Sequence, residues 1–291
     1  MLLGNSRQAY YQGKKFQQKE AFQDDLILAE VLRYREHQKR LGTRKLLGEM
    51  QQFLSTHAIN MGRDAMFRLL GENGLLVRKR KRKGPQTTFS RHRFKKYPNL
   101  IREFIPCAPN QLWVSDITYI HVGEKFAYLS LITDAYSRKI VGFYLSPDLS
   151  ALGPLAALKM AFDNNPIHPG LIHHSDRGVQ YCCEKYVNLL KNNKVKISMT
   201  ENGDPLENAL AERVNGILKD ELLEECYPIF TQAQNAIAKA ISTYNHLRPH
   251  GSIDNLKPID AHKMEGAIKK RWVNYYQRNQ QNIMKEVTMS G

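Results

Sequence analysis

The sequence predicts an α/β protein in which helices cover a mixed sheet, preceded by an all-α region. Three observations carry that expectation. Three β-rich stretches, 112–122, 126–133 and 139–145, follow one another across short turns, which implies an antiparallel meander. Helices and short strands then alternate as far as residue 246, giving the order βββαβαβα of a layered fold. Before residue 75 the apolar residues recur only at helical spacing.

The elements follow in order. Leu26, Ile27, Ala29, Val31 and Leu32 form the apolar stripe of a helix over 24–40. Gly42-Thr43 breaks that pattern and offers an N-cap for a second helix through about Leu54. A third helix is expected over 62–72, closed by Asn73-Gly74, with Met66, Phe67, Leu69 and Leu70 on one side and Arg63 and Arg68 elsewhere on its surface. Short helices across a tight connection, the last carrying arginines, fit a helix-turn-helix as well as an ordinary helical hairpin. The run Arg78, Lys79, Arg80, Lys81, Arg82, Lys83, then Gly84-Pro85, repels itself and reads as a linker or arm; order is expected to resume near Asn110. After the meander come a helix over 151–163, a strand over 171–174, a helix over 179–192, a strand over 195–199, and helices over 206–223 and 231–246.

Composition narrows the function classes. With 42% hydrophobic and 24% charged residues in 291, the chain fits a globular protein of one large domain or two ordinary ones. No apolar run approaches a membrane span, and the polar, aromatic first fifteen residues lack the apolar core of a signal peptide, so a cytoplasmic protein is expected. The four cysteines form no CxxC pair and no disulfide framework, so neither zinc nor disulfides are expected. The net charge of +15 is unevenly placed. Residues 1–106 hold 23 Lys/Arg against 9 Asp/Glu, whereas 107–291 hold 20 against 19. A polyanion partner follows, with nucleic acid first because phosphate neutralisation releases counterions; a solubilising arm is the other reading.

Three carboxylates stand out by position. Asp116 lies inside the apolar strand Trp113-Val114-Ser115-Asp116-Ile117-Thr118-Tyr119, where burial is costly unless something pairs with it. Asp176 follows the fourth strand, where a chain leaving a sheet tends to build ligand sites, although a helix N-cap is the commoner use of such an Asp. Glu212 sits in a helix among small apolar neighbours. Singly each is weak. Together they are a set of hard oxygen donors suited to Mg²⁺, and paired ions on such a set promote phosphoryl transfer.

At this point the chain resembles a known family. Asp176 and Glu212 are separated by 35 residues, as in the DDE transposases and retroviral integrases. Asn110-Gln111-Leu112-Trp113 with Asp116-Ile117-Thr118-Tyr119, Asp134 with Ser137-Arg138-Lys139-Ile140-Val141-Gly142, and His174-Ser175-Asp176-Arg177-Gly178 are similar to the first blocks of an integrase core. Asn208-Ala209, Glu212, Asn215, Lys219 and Glu221 resemble the next block, and Tyr244-Asn245, Arg248-Pro249-His250 and Lys257-Pro258 its tail. The N-terminal part is more loosely similar to the helix-turn-helix region of second-frame transposases of IS-three-type insertion sequences. One departure is Pro205-Leu206-Glu207 before Asn208, where the family often has an Asp, which makes Glu207 a second candidate beside Glu212. The zinc module of retroviral integrases has no counterpart in the sequence.

The resemblance implies an RNase H-like core with a five-stranded mixed sheet flanked by helices. Residues 1–77 would be a helical DNA-binding region, 78–107 a basic linker, 108–225 the catalytic core and 226–291 its helical extension. Asp116, Asp176 and Glu212 would bind two Mg²⁺, with Mn²⁺ as a substitute, and would support 3′-end cleavage and strand transfer of double-stranded DNA in a bacterial cell. Asn208, Glu212, Asn215, Gly216 and Lys219 recur at helical spacing, so Asn208 and Lys219 are candidate DNA contacts on the face of the third carboxylate. Arg248 is a further candidate, for phosphate positioning or for the fold. Of the adjacent His173 and His174, one is expected to be buried and the other to flank the site; neither suits Mg²⁺. Partners implied are DNA, further copies of the chain and an upstream-frame subunit. A DNA-binding protein without activity and a nuclease that cleaves without joining are the competing classes.

Overall fold

A computed structural model of the chain describes residues 7–77, 92–201 and 208–269, and these fall into two compact units. The basic run Arg78 to Lys83, Glu207 and the expected helix start at 206 lie outside the described residues.

The N-terminal unit is all helical: α1 (Arg7–His37), α2 (Thr43–Glu49), α3 (Gln51–Thr56) and α4 (Arg63–Glu72). Helix α1 begins far earlier than the expected residue 24. Its first half carries no apolar stripe for periodicity to detect, and its buried side chains start at Ile27. Ile27 and Val31 of α1 pack with Leu46, Met50, Leu54, Met66, Leu69 and Leu70 in one core. The second expected helix is broken at Met50, a fully buried residue that caps both α2 and α3. Gly42, with extended backbone, takes the N-cap position of α2 rather than Thr43.

The second unit contains the sheet, in strand order β3-β2-β1-β4-β5, with β1 (Leu112–Val122), β2 (Lys125–Asp134), β3 (Ile140–Ser146), β4 (Ile172–Ser175) and β5 (Lys196–Met199). The meander β1-β2-β3 is antiparallel, whereas β1-β4 and β4-β5 are parallel, so the five strands form the expected mixed sheet. A two-residue strand β6 (Cys226–Tyr227) adds to the distal end of β1. Order resumes before Asn110: Pro98 O accepts the Met199 amide and the Leu100 amide donates to Ser198 Oγ, which seals the open edge of β5.

Alternation along β1 divides the two faces. Trp113 and Ile117 enter the large core beneath α5 (Leu152–Asn164) and α7 (Glu184–Asn192), together with Ala157, Ala161, Tyr186 and Leu190. Leu112 and Val114 face the other way and pack with Ala211 of α8 (Ala209–Ile217). Close approach of α5 to β3 depends on Gly142, where an added Cβ would lie 2.2 Å from Ala157 O. The expected helix over 179–192 is two, α6 (Val179–Cys182) and α7, because Cys183 takes an extended backbone between them. Past Ile217, α8 continues as a π-helical turn, Leu218–Leu222.

The tail of the unit is α9 (Phe230–His246) and the short α10 (Pro258–Ala261). Asn245 Nδ2 donates to Ile140 O while its Oδ1 accepts the Ile140 amide, so one side chain docks α9 on the edge strand β3 as a further strand would. Among the described residues, no helix is long and apolar enough to cross a membrane.

Candidate active site

The parallel register of β1 and β4 brings the first two carboxylates together. Val114 is paired with His174, the last pair of that register, so Asp116, two residues on in β1, and Asp176, just past the end of β4, lie at the same end of the pair and within reach of each other's charge. The face of β1 that carries Leu112, Val114 and, by alternation, Asp116 is the one covered by α8, which carries Glu212. Each carboxylate thus comes from a different element: a central strand, the loop after its parallel neighbour, and the covering helix.

Electrostatics record the gathering. Asp116 is pushed up to about 7, first by burial and next by the charge of Asp176, with Glu212 a smaller contributor. Two hydrogen bonds oppose the rise and favour the ionised form: Asn215 Nδ2 donates to Asp116 Oδ2 at 2.7 Å, and the Ile117 amide donates to Oδ1 at 2.9 Å. Asp176 accepts the Gly178 amide at Oδ1, 2.9 Å away, an arrangement that turns the chain from β4 toward α6. Glu212 is exposed on α8. Among the described residues no three His, Cys, Asp or Glu side chains are drawn tightly enough to form a ready metal cage. Asp116 and Asp176 are therefore the close pair, and Glu212 stands further off.

The donor chemistry fits hard divalent cations. All three groups are carboxylates, and the like charge of Asp176 and Glu212 adds to burial in raising Asp116, which a bound cation would offset. Asp134, the other carboxylate of the strand ends, is spoken for. It is fully buried and accepts the Asn110 amide, the Ser137 amide and Ser137 Oγ, so it braces the β2–β3 turn.

The remaining sequence candidates separate by environment. Asn208 is buried and donates from Nδ2 to Ser115 O at 3.2 Å, tying the start of α8 to the residue before Asp116. Lys219 lies with Nζ 3.4 Å from the centre of the Tyr119 ring, a cation–π contact that fixes the ammonium beside β1. Arg63 and Arg68 are exposed on α4, the former bound to Asp64 at 2.7 Å. Arg248 requires a correction as a DNA contact. It is 1% exposed, and its Nη1 donates to Pro249 O and to His250 Nε2, so it holds the turn after α9 from within. Both His173 and His174 are buried, so neither flanks the site as one of them is expected to. His173 Nε2 meets Ser115 Oγ and Tyr186 OH, and burial together with the adjacent His174 pushes its pKa down to about 3, which keeps the ring neutral. His174 Nδ1 pairs with Ser198 Oγ.

Sequence reasoning places Asn215 on the face of Glu212 but gives it no role. The signal is its spacing of three from Glu212, which puts an amide one turn along the same face. Tyr119 carries no signal of its own.

Comparison with known proteins agrees with this architecture. Two family models, both described as "Integrase core domain", match residues 106–205 and 193–258. The 31 kDa protein of insertion element IS600 from Shigella sonnei is 35% identical over 262 residues, covering 88% of this chain and 94% of that one. The transposase for insertion sequence element IS629, also from Shigella sonnei, is 30% identical over 246 residues, covering 84% and 81%. Among solved structures, the HTLV-2 integrase catalytic core domain in complex with magnesium aligns at a TM-score of 0.43 and 20% identity, over 54% of this chain and 99% of that one. The coverage and identity of the insertion-sequence proteins, with the integrase core matches over residues 106–205 and 193–258, establish that the chain belongs to the insertion-sequence transposases that carry an integrase core domain.

Proposed function

We propose that this transposase cuts and joins DNA strands by phosphoryl transfer at Asp116, Asp176 and Glu212, with two Mg²⁺ held between them and Mn²⁺ as a substitute. The observation that supports this most directly is the raised Asp116, whose carboxyl feels the charges of both other members. When bound, the metal supplies activation of the attacking hydroxyl and neutralisation of charge on the phosphodiester. The chain's own residues set the acceptors in place. Asn215 and the Ile117 amide hold the two oxygens of Asp116, and the Gly178 amide holds Asp176. Asn208 fixes the start of α8 against the Ser115 carbonyl, and so positions the helix that carries Glu212.

In this reading water first frees a 3′-hydroxyl at an element end, and that hydroxyl then attacks a phosphodiester of target DNA. Lys219, restrained by Tyr119, contacts the DNA backbone beside the carboxylates. The basic first third, including Arg63, Arg68 and Arg78 to Lys83, holds duplex DNA through its phosphates. Bringing two ends together calls for more than one copy of the chain, in the cytoplasm where the element's DNA resides. An upstream-frame subunit would add further DNA binding.

The test uses the full chain with duplexes bearing the element's termini. Changing Asp116 or Asp176 to Asn, or Glu212 to Gln, is expected to abolish both cleavage and joining while DNA binding persists. Glu207→Gln should keep most activity. If Glu207→Gln is inactive and Glu212→Gln is not, the third carboxylate is misassigned. Joining by all three triad variants would sink the proposal.

A further inference from the structure

Outside the carboxylate site, the second unit holds a cleft of about 420 Å³ at the start of α8. Its apolar wall includes Phe104, Leu112, Tyr136 and Leu210, and the polar side chains of Arg138, Asn208 and Ser252 reach it. Three features set this cleft apart from an ordinary surface dent.

The first is charge. Arg138 is half-buried, its Nε donates to Ser252 Oγ and its Nη1 to the Ala135 carbonyl, and the nearby Asp134 carboxylate, itself bound by Asn110 and Ser137, offsets only part of the burial that lowers the guanidinium's pKa. A cation drawn from water with neutral hydrogen-bond acceptors and one carboxylate that does not bond it is costly, which is the condition an incoming anion relieves. The second is strain. Arg138 has φ +68°, in the left-handed region that favours glycine or asparagine, so the tight β2–β3 turn holds a long cationic side chain where a small residue would sit more easily. The third is an acceptor. Asn208 is 6% exposed, and its Oδ1 has no donor among the described residues, although its Nδ2 is bound to Ser115 O.

A guanidinium held by neutral acceptors, an apolar wall in which Phe104 is exposed beside the buried Tyr136 and a buried amide acceptor together match one nucleotide: a phosphate, a base face and a base amino group. We infer that this cleft receives a single unpaired nucleotide of the DNA substrate, its phosphate on Arg138, its base against Phe104 and Tyr136, and an exocyclic amino group on Asn208 Oδ1. The inference rests on the DNA-joining reading above and adds to it a subsite for a base removed from the helix. Through the bond from Asn208 to Ser115 O, occupation of the cleft is mechanically joined to the strand that carries Asp116.

The test compares the full chain's affinity for a fully paired duplex with that for the same duplex carrying one internal unpaired nucleotide, by fluorescence anisotropy at fixed salt. Wild type should bind the second about tenfold more tightly, the scale of one base stacked on aromatic side chains. Arg138→Gln removes the cation, and Ala209→Trp fills the cleft from an exposed helix position that lines it. Each should bring the preference to within about twofold while leaving the paired duplex unaffected. Where either variant fails to fold, wild type alone decides. With 5-iodocytosine, which keeps the exocyclic amino group, as the unpaired base, photocrosslinks are expected on the peptides holding Phe104 or Tyr136, and adducts confined to other peptides overturn the inference. Equal wild-type affinity for both duplexes, or a preference that survives both folded variants, overturns the cleft alone. Failure to bind either duplex overturns the DNA-joining reading with it.

Discussion

Asn215 Nδ2 donates to Asp116 Oδ2 across 2.7 Å, joining the helix that bears Glu212 to the strand that bears the central carboxylate. The bond favours the ionised form of Asp116 against the burial that raises it. Asn215 Oδ1 has no partner among the described residues, so replacing the amide forfeits this donor and little else.

Asn215→Leu should therefore raise Asp116 further. A hydrogen bond to a charged group contributes on the order of 2 kcal/mol, so strand transfer near neutral pH should fall about tenfold or more, with its acid limb displaced upward. The pH profile of joining by the variant checks this. A uniform loss with an unmoved acid limb would show that Asn215 serves packing alone.

The metal-free protein should lose stability as pH rises. Asp116 sits near 7 in the fold against an ordinary 3.8, so between about pH 4 and 7 the native state holds a proton that the unfolded chain has released. That advantage of the unfolded chain is complete above the native value. Asp116→Asn removes the titration, and the Tm difference between variant and wild type should move in the variant's favour from pH 5 to pH 8 without Mg²⁺. Added Mg²⁺ should shrink it. A difference independent of pH would refute the assignment.

Replacing Arg78 to Lys83 by Ser removes six cations from the basic third. Affinity for duplex DNA should then fall, and log Kd should depend less steeply on log salt, by up to about 0.9 for each phosphate that the run had neutralised. Catalysis on DNA saturating for the variant should be retained. An unchanged slope would make the run a spacer.

Gly142→Ala should destabilise the sheet unit severely. The new methyl would meet Ala157 O at 2.2 Å and Ala161 Cβ at 2.9 Å, both on the packed face of α5. Relief requires moving α5 away from β3, an overpacking effect of about 3 kcal/mol, readable as a lowered denaturant midpoint. A midpoint within error of wild type would show that α5 shifts freely.

Much of the architecture is legible in the residues because local periodicity is enough for long, regular elements. The strand over 112–122 is bounded as expected, and the meander and the alternating helices follow within a residue or two. Where local and tertiary forces compete, the sequence is silent. Cys183 interrupts a helical pattern, Met50 splits another, and α1 extends through residues that carry no apolar stripe. Neither break is marked by proline, and the first half of α1 is exposed, so no apolar pattern marks it.

By itself the sequence determined which residue types were available: three carboxylates at family spacing, an apolar strand around the first of them, and an excess of cations in the first third. Only the tertiary structure decided which of the polar residues meet. Parallel pairing of β1 with β4 brings Asp116 and Asp176 to the same end of the two strands, although 60 positions separate them in sequence. The same folding takes Arg248, which has the chemistry of a phosphate ligand, and buries it in the turn after α9, while it leaves Arg138 at a cleft with neutral hydrogen-bond acceptors. Charge and hydrogen-bonding capacity belong to a side chain wherever it stands. Burial, register and partnership are properties of long-range contacts, and no local pattern encodes them.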